Sequence, residues 1–379
     1  MTARQFVYET PLPYAATAAS QVHTPPVVLT WRHLSGLVRL ALLNFALNVV
    51  TLGMYQFWAK AEVRKRIWAS VRLNGEPLSY AGSGRELFHG FLIALVIVAV
   101  PALMLPLFAV VAFGNAGVPV AQVVLYVAFA FLFGFAVWRA QRYRLSRTSW
   151  RGIRFGLNGS GLGYAWASFW TLALIPLTLG WIVPWRSTML QKRLIDGMSL
   201  GDRRFTFDAK TGPLYLRYLV MWVVTAALLV LGPLLATRAG VLAATQMSRE
   251  DVATTLPPQM VAGVIVAGLL LMMIYGLTSA WYRAAQFNHF AQATRLGDIQ
   301  FNGRMSGVGL FWLTLGNWAI AIASLGLLLP LIQARSAHYM ITRLDVIGGE
   351  TLEAITQSTA DPSAAKGEGL ANAFNFDAF

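Results

Sequence analysis

Cysteine is absent from the 379 residues, which excludes disulfides and thiolate metal sites. Charge is scarce as well: Asp, Glu, Lys and Arg together make up 12% of the chain, against roughly 25% in soluble domains. Acidic residues are the rarer sign, 16 against 30 Lys plus Arg, for a net charge of +14. The five histidines, His23, His33, His89, His289 and His338, form no HExxH or other close metal-ligand pair. No Gly-x-Ser-x-Gly elbow is present. Gly82-Ser83-Gly84 and Gly159-Ser160-Gly161 lack the spacing and Lys-Ser/Thr ending of a phosphate loop and read as flexible connections. Asp196, Asp202 and Asp208 lie among arginines and read as surface ion pairs. The sequence therefore offers no catalytic, cofactor-binding or metal-ligating set, and a non-enzymatic protein is expected.

Apolar sequence is abundant: 56% of residues are hydrophobic and the mean hydropathy is +0.56. Runs at 87–113, 118–137, 214–235 and 260–277 approach or exceed the ~18–20 residues needed to cross a hydrocarbon core. A polytopic helical membrane protein follows. The basic residues flank these runs, so the positive-inside rule accounts for the charge and nucleic acid is not an expected partner. Residues 1–30, with Pro11, Pro13, Pro25 and Pro26 and no apolar core, read as a flexible arm and not a cleaved signal. The single membrane domain is expected to cover 31–354 and to be followed by a mobile tail, 355–379.

An internal repeat organises that domain. Segments 34–66, 164–193 and 309–339 each hold an apolar helical run, a break, and a second helical pattern. The breaks are Thr51-Leu52-Gly53, Thr178-Leu179-Gly180 and Ser324-Leu325-Gly326, and Asn44 and Asn317 each stand seven residues before theirs. Two long span pairs, 87–137 and 214–280, alternate with these TLG segments. Between them lie short alternating runs around Asn74-Gly75, Arg151-Gly152, Gly201-Asp202 and Gly297-Asp298, which are hairpin signals.

Single crossings by the TLG segments would place the basic loops 139–154 and 186–210 on opposite sides, against the charge rule. If each segment dips in and returns, all the hairpins and both termini face the cytoplasm. Gly53, Gly180 and Gly326 suit helix C-termini, and Pro184 and Pro330 suit the first turn of a returning helix. The alternative is three ordinary tilted spans kinked at proline. The expected fold is thus an α-helical polytopic membrane protein with internal repeats. It has four full spans, three TLG re-entrant or kinked elements, and short cytoplasmic β-hairpins that either pair with one another or remain separate turns.

The residues of 44–66, NFALNVVTLGMYQFWAKAEVRKR, resemble the signature of the YjgN-like family of bacterial inner-membrane proteins, a domain of unknown function. TLGWIVPW and ASLGLLLP resemble its repeated element, GSGRELFHG resembles the opening of its first span pair, and the ending from Gly367 to Phe374 also fits. Ser324 in place of Thr and Leu331 in place of Trp are departures. The resemblance implies a bacterial inner membrane and carries over no established activity. It also associates the chain with membrane-bound zinc metallopeptidases as partners.

Three sets of residues are candidates for function. Arg39, Asn44, Asn48 and Asn317 are polar within apolar helices and either line a common polar axis or hydrogen-bond between packed helices. Trp58, Lys65, Arg66, Trp185, Lys192 and Arg193 combine interfacial aromatics with cations suited to lipid headgroups. Leu370, Phe374 and Phe379 are apolar anchors in the tail, suited to a partner groove or simply disordered. Together they suggest transport or organisation of a lipid-like or small solute in the envelope. The competing reading is a scaffold for a membrane-associated enzyme such as a metallopeptidase.

Overall fold

Turn chemistry sets the strands. Asn74-Gly75 and Arg151-Gly152 carry positive φ at both central residues (51° and 81° in each), the requirement of a type I′ hairpin. Gly201 and Gly297, at φ 57° and 62°, precede Asp202 and Asp298, the pattern of a type II′ turn. Each turn joins a three-residue strand to a five-residue one: β2 (Val71–Leu73) to β3 (Glu76–Tyr80), β4 (Thr148–Trp150) to β5 (Ile153–Leu157), β6 (Met198–Leu200) to β7 (Arg203–Phe207), and β8 (Thr294–Leu296) to β9 (Ile299–Gly303). β1 (Leu29–Trp31) and β10 (Leu344–Ile347) stand at the two ends. The computed structural model describes residues 27–246, 258–349 and 355–356.

The hairpins do not stay separate. All ten strands form one antiparallel sheet in chain order, with registers such as Leu78↔Trp150, Phe155↔Leu200 and Phe205↔Leu296 joining one hairpin to the next. β1 comes alongside β10 and nearly closes the ring. The cause is a shared core. Trp150, Leu200, Phe205, Phe207, Leu296, Ile299 and Val346 are buried together, with Leu29, Leu73, Leu78, Phe155 and Phe301 against them, so every strand contributes to one cluster. An isolated hairpin is marginal in water, whereas this interior buries large side chains from all four hairpins and both end strands. Val27 and Ile355 join the same cluster, and Thr356 exchanges two hydrogen bonds with Asp202.

Helix pairs fill every gap between hairpins. They are α1 (Leu37–Val50) with α2 (Gln56–Ser70), α3 (Gly84–Phe113) with α4 (Val118–Ser146), α5 (Gly161–Leu177) with α6 (Val183–Ile195), α7 (Gly212–Gln246) with α8 (Pro258–Gln292), and α9 (Gly307–Ala323) with α10 (Leu329–Ile341). Because consecutive strands are antiparallel neighbours, every helix pair leaves and rejoins the same rim of the sheet, and the four hairpin turns lie at the other rim. Among the described residues three stretches are long and apolar enough to cross a membrane: Gly84–Ser146, Gly212–Leu234 and Ile265–Gln292. The first contains α3, a 3₁₀ turn at Gly114–Gly117, and α4. The helices α1, α5 and α9 have 14, 17 and 17 residues, short of the ~20 that a crossing takes.

The expected architecture of four full spans, three re-entrant or kinked TLG elements and short hairpins is therefore wrong, and of the two arrangements open to the hairpins it is mutual pairing that occurs. The molecule is a helical ring built on one large, nearly closed ten-stranded sheet, with three span-length apolar stretches among the described residues. Local turn signals located the hairpins, but the pairing between them depends on contacts across intervening helices.

Glycines following the helix caps serve packing, not flexibility. Ser83, Ser160 and Ser306 are N-caps whose hydroxyls accept the amides of Glu86, Gly163 and Gly309. The next residue in each case, Gly84, Gly161 and Gly307, lies against Trp58, Trp138 and Trp281, where an added Cβ would come within 2.5–2.7 Å of a tryptophan atom.

Candidate functional site

The first TLG pair and the start of α3 enclose a cavity of about 630 Å³. Leu40, Leu43 and Asn44 line it from α1, and Tyr55, Trp58, Ala61, Glu62, Lys65 and Arg66 from the end of the turn and one face of α2. Ser83, Gly84, Arg85 and Glu86 line it from the capped N-terminus of α3. Gly84 is what lets that N-terminus reach Trp58 so closely. The cations lie toward the sheet rim, because Lys65 and Arg66 are in the C-terminal half of α2 and Arg85 opens α3. Asn44 lies midway along α1, and Tyr55 and Trp58 are toward the tip.

The electrostatics favour an anion. Glu86 accepts from the Tyr143 hydroxyl at 2.6 Å and pairs with Arg147 at 2.9 Å, so its charge is committed elsewhere. Glu62 pairs with Arg66 at 3.2 Å. Lys65 and Arg85 have no ion-pair partner among the described residues, and the N-terminal dipole of a 30-residue helix adds to them. Behind the cavity, Tyr80 packs with Phe57, Ala61, Leu87 and Tyr143. Burial pushes the Tyr80 phenol above its usual range, with Arg64 opposing, so it stays neutral.

Asn44 is the unusual residue. It is 5% exposed, and among the described residues neither its amide nitrogen nor its carbonyl oxygen has a hydrogen-bond partner. A buried amide without partners costs on the order of 1–3 kcal/mol, and this one faces a cavity large enough for a ligand. Asn48, on the same helix, also has a buried oxygen without a partner among the described residues.

The expected polar axis is not assembled as one feature. Arg39 is exposed, and Asn317 lies in a different cavity, formed by α8, α9 and α10, where its Nδ2 donates to Ser336. The structure does bring Asn44 together with Trp58, Lys65 and Arg66, which the sequence had placed in two separate sets. Trp185, Lys192 and Arg193 lie on α6. Trp185 packs on Trp170, Lys192 donates to the Phe207 carbonyl and pairs with Asp196, and Arg193 donates to the Met189 sulfur. Leu370, Phe374 and Phe379 fall outside the described residues.

Sequence reasoning missed Arg85 and Glu86, which the capped, glycine-tight start of α3 delivers to the cavity. It also missed Arg186, half-buried between α5 and α6, whose Nη2 donates to the Ser168 hydroxyl at 3.1 Å. Arg186 occupies the repeat position held by Ala59 and Ile332, so a strict comparison of the three copies would have singled it out. Among the described residues no group of three or more His, Asp or Glu side chains is placed to hold a metal.

Residues 33–373 match the family described as bacterial protein of unknown function, DUF898. The chain is 27% identical over 141 residues to inner membrane protein YjgN of Escherichia coli O157:H7, covering 37% of this chain and 33% of that protein. It is 28% identical over 140 residues to the protein of the same name from Salmonella typhimurium, covering 37% and 32%. The chain thus matches about a third of the length of these curated relatives. No solved structure matches the chain. With its span-length apolar helices and relatives named as inner-membrane proteins, the chain belongs to the DUF898, YjgN-like family and is itself a bacterial inner-membrane protein.

Proposed function

We propose that this protein is a non-enzymatic lipid-handling protein that takes the headgroup of an anionic phospholipid into the cavity between α1, α2 and α3, and thereby organises or moves lipid in the envelope. The observation that carries this reading is Asn44, a buried amide without partners in a cavity whose mouth holds the free cations Lys65 and Arg85. A phosphate would sit between those cations and the α3 N-terminus. The Asn44 amide would then meet the glycerol-ester region, and Leu40, Leu43, Tyr55 and Trp58 the upper acyl chain. An amphiphile has the same order of groups, charged, polar and apolar, from rim to tip.

The sheet then lies on the cytoplasmic side. Arg72, Arg151, Arg154, Arg203, Arg204 and Arg295 sit on its strands and turns, which is the distribution the positive-inside rule asks for. Both β1 and β10 belong to it, which supports cytoplasmic ends.

Native mass spectrometry of the protein extracted in mild detergent tests the reading. Retained anionic phospholipid is expected, reduced several-fold in Lys65→Gln/Arg85→Gln, with bound neutral lipid unchanged. Equal retention of anionic lipid by the double variant would overturn it.

A further inference from the structure

The second cavity, about 560 Å³, lies between α8, α9 and α10. Its walls are mainly apolar: Phe287, Leu310, Leu313, Trp318, Ile332 and Met340. Polar groups are few and ordered along its length. Arg283 is exposed at the level where α9 begins, as the contact of Gly307 with Trp281 fixes. Asn317 comes midway along α9, and Ala321 and Leu329 follow toward the turn at Ser324-Leu325-Gly326.

This order repeats that of the first cavity. A cation stands near the sheet rim, an asparagine seven residues before the turn, and apolar side chains beyond it. Here too the asparagine is incompletely satisfied: Nδ2 donates to Ser336 at 3.1 Å, but the buried Oδ1 has no partner among the described residues. Arg283 has no ion-pair or hydrogen-bond partner among the described residues. The two cavities stand on either side of one contact, where Leu37 and Leu40 of α1 and Val63 and Ile67 of α2 pack on Ala334 and Ala337 of α10.

The differences are equally informative. The first cavity gathers Lys65, Arg66 and Arg85 near a helix N-terminus, whereas the second has one cation in a mostly apolar groove. A groove of this shape reads the chain more than the head. Its exposed flank continues into Trp312, Leu315 and Trp318, so it opens onto the apolar belt of the helices and not onto water.

We infer that the α8–α9–α10 groove is a second lipid site, which holds one acyl chain of an anionic phospholipid lengthwise along α9 with the phosphate on Arg283. The inference stands on residues separate from the first cavity and does not need that site to be occupied. Two lipid sites flanking the α1–α10 contact would place two lipids beside one seam of the helical ring.

The test uses full-length protein in nanodiscs containing a small fraction of phosphatidylglycerol with a photoactivatable diazirine in one acyl chain. Crosslinks are expected on peptides of 307–323. Leu313→Trp, which fills the groove, and Arg283→Gln, which removes only an exposed charge, should each lower that labelling several-fold. Both variants should keep the wild-type elution profile in size-exclusion chromatography, which separates loss of this site from misfolding, and the readout on 307–323 is independent of whether the first cavity's peptides are labelled. Undiminished labelling of α9 in either variant would overturn the inference. So would equal labelling by a phosphatidylcholine probe, or stronger labelling by a free fatty acid bearing the same diazirine.

Discussion

Asn44 puts a donor and an acceptor into a cavity wall with nothing among the described residues to bond them. In the absence of a ligand this arrangement is a net cost of about 1–3 kcal/mol, and an apolar residue of similar volume would be no worse. Asn44→Leu is therefore expected to hold or raise the thermal midpoint in detergent while lowering the amount of co-purified anionic lipid. A loss of stability with lipid retention intact would mean that the amide serves helix packing instead. Asn44 was legible in the sequence because it keeps register with Asn317. Arg85 was not, since its approach to Lys65 depends on Gly84 meeting Trp58, a contact between separate helices.

The TLG break shows how a sequence motif becomes an element. Thr51, Thr178 and Ser324 are helix C-caps, and each hydroxyl donates to the carbonyl four residues earlier. Each also accepts the amide four residues later, of Tyr55, Ile182 and Leu328. The glycine amide reaches back five residues, as from Gly180 to Ile175, in a Schellman closure. Leu52, Leu179 and Leu325 occupy the left-handed position at φ 47–51°, where an L-residue costs about 1–2 kcal/mol. They are 94%, 76% and 91% exposed, so the strain presents a leucine at the tip of each helix pair. At the second tip the carbonyls of Leu179 and Gly180 accept from Trp222 and Tyr218 of α7. Thr178→Val keeps the side-chain shape and removes the hydroxyl, so a loss of about 1 kcal/mol is expected in reversible denaturation. Gly307→Ala would drive a Cβ to within 2.6 Å of the Trp281 backbone. A cost of about 1–3 kcal/mol is expected for that overpacking. An unchanged midpoint in Gly307→Ala would mean that α8 and α9 separate without penalty.

At the scale of the molecule, the sequence disclosed the repeat unit but not its closure. Each hairpin announced itself through a two-residue turn. Yet the partners Leu78 and Trp150 are separated by the whole α3–α4 pair, and no local signal links them. The sequential ring has a consequence for sidedness: all five helix pairs start from one rim, so every strand and hairpin turn is expected on one side of the membrane. The absence of cysteine makes this directly measurable, since a single introduced cysteine is the only thiol in the chain. Arg151→Cys sits in the β4–β5 turn at an exposed position, and Gln300→Cys sits on the exposed face of β9, far away in sequence. Both are expected to resist a membrane-impermeant maleimide in intact spheroplasts and to react after permeabilisation. Labelling of both in intact spheroplasts would put the sheet on the periplasmic side and remove the charge argument. Labelling of one alone would break the ring itself, because two residues of one continuous sheet cannot face opposite compartments.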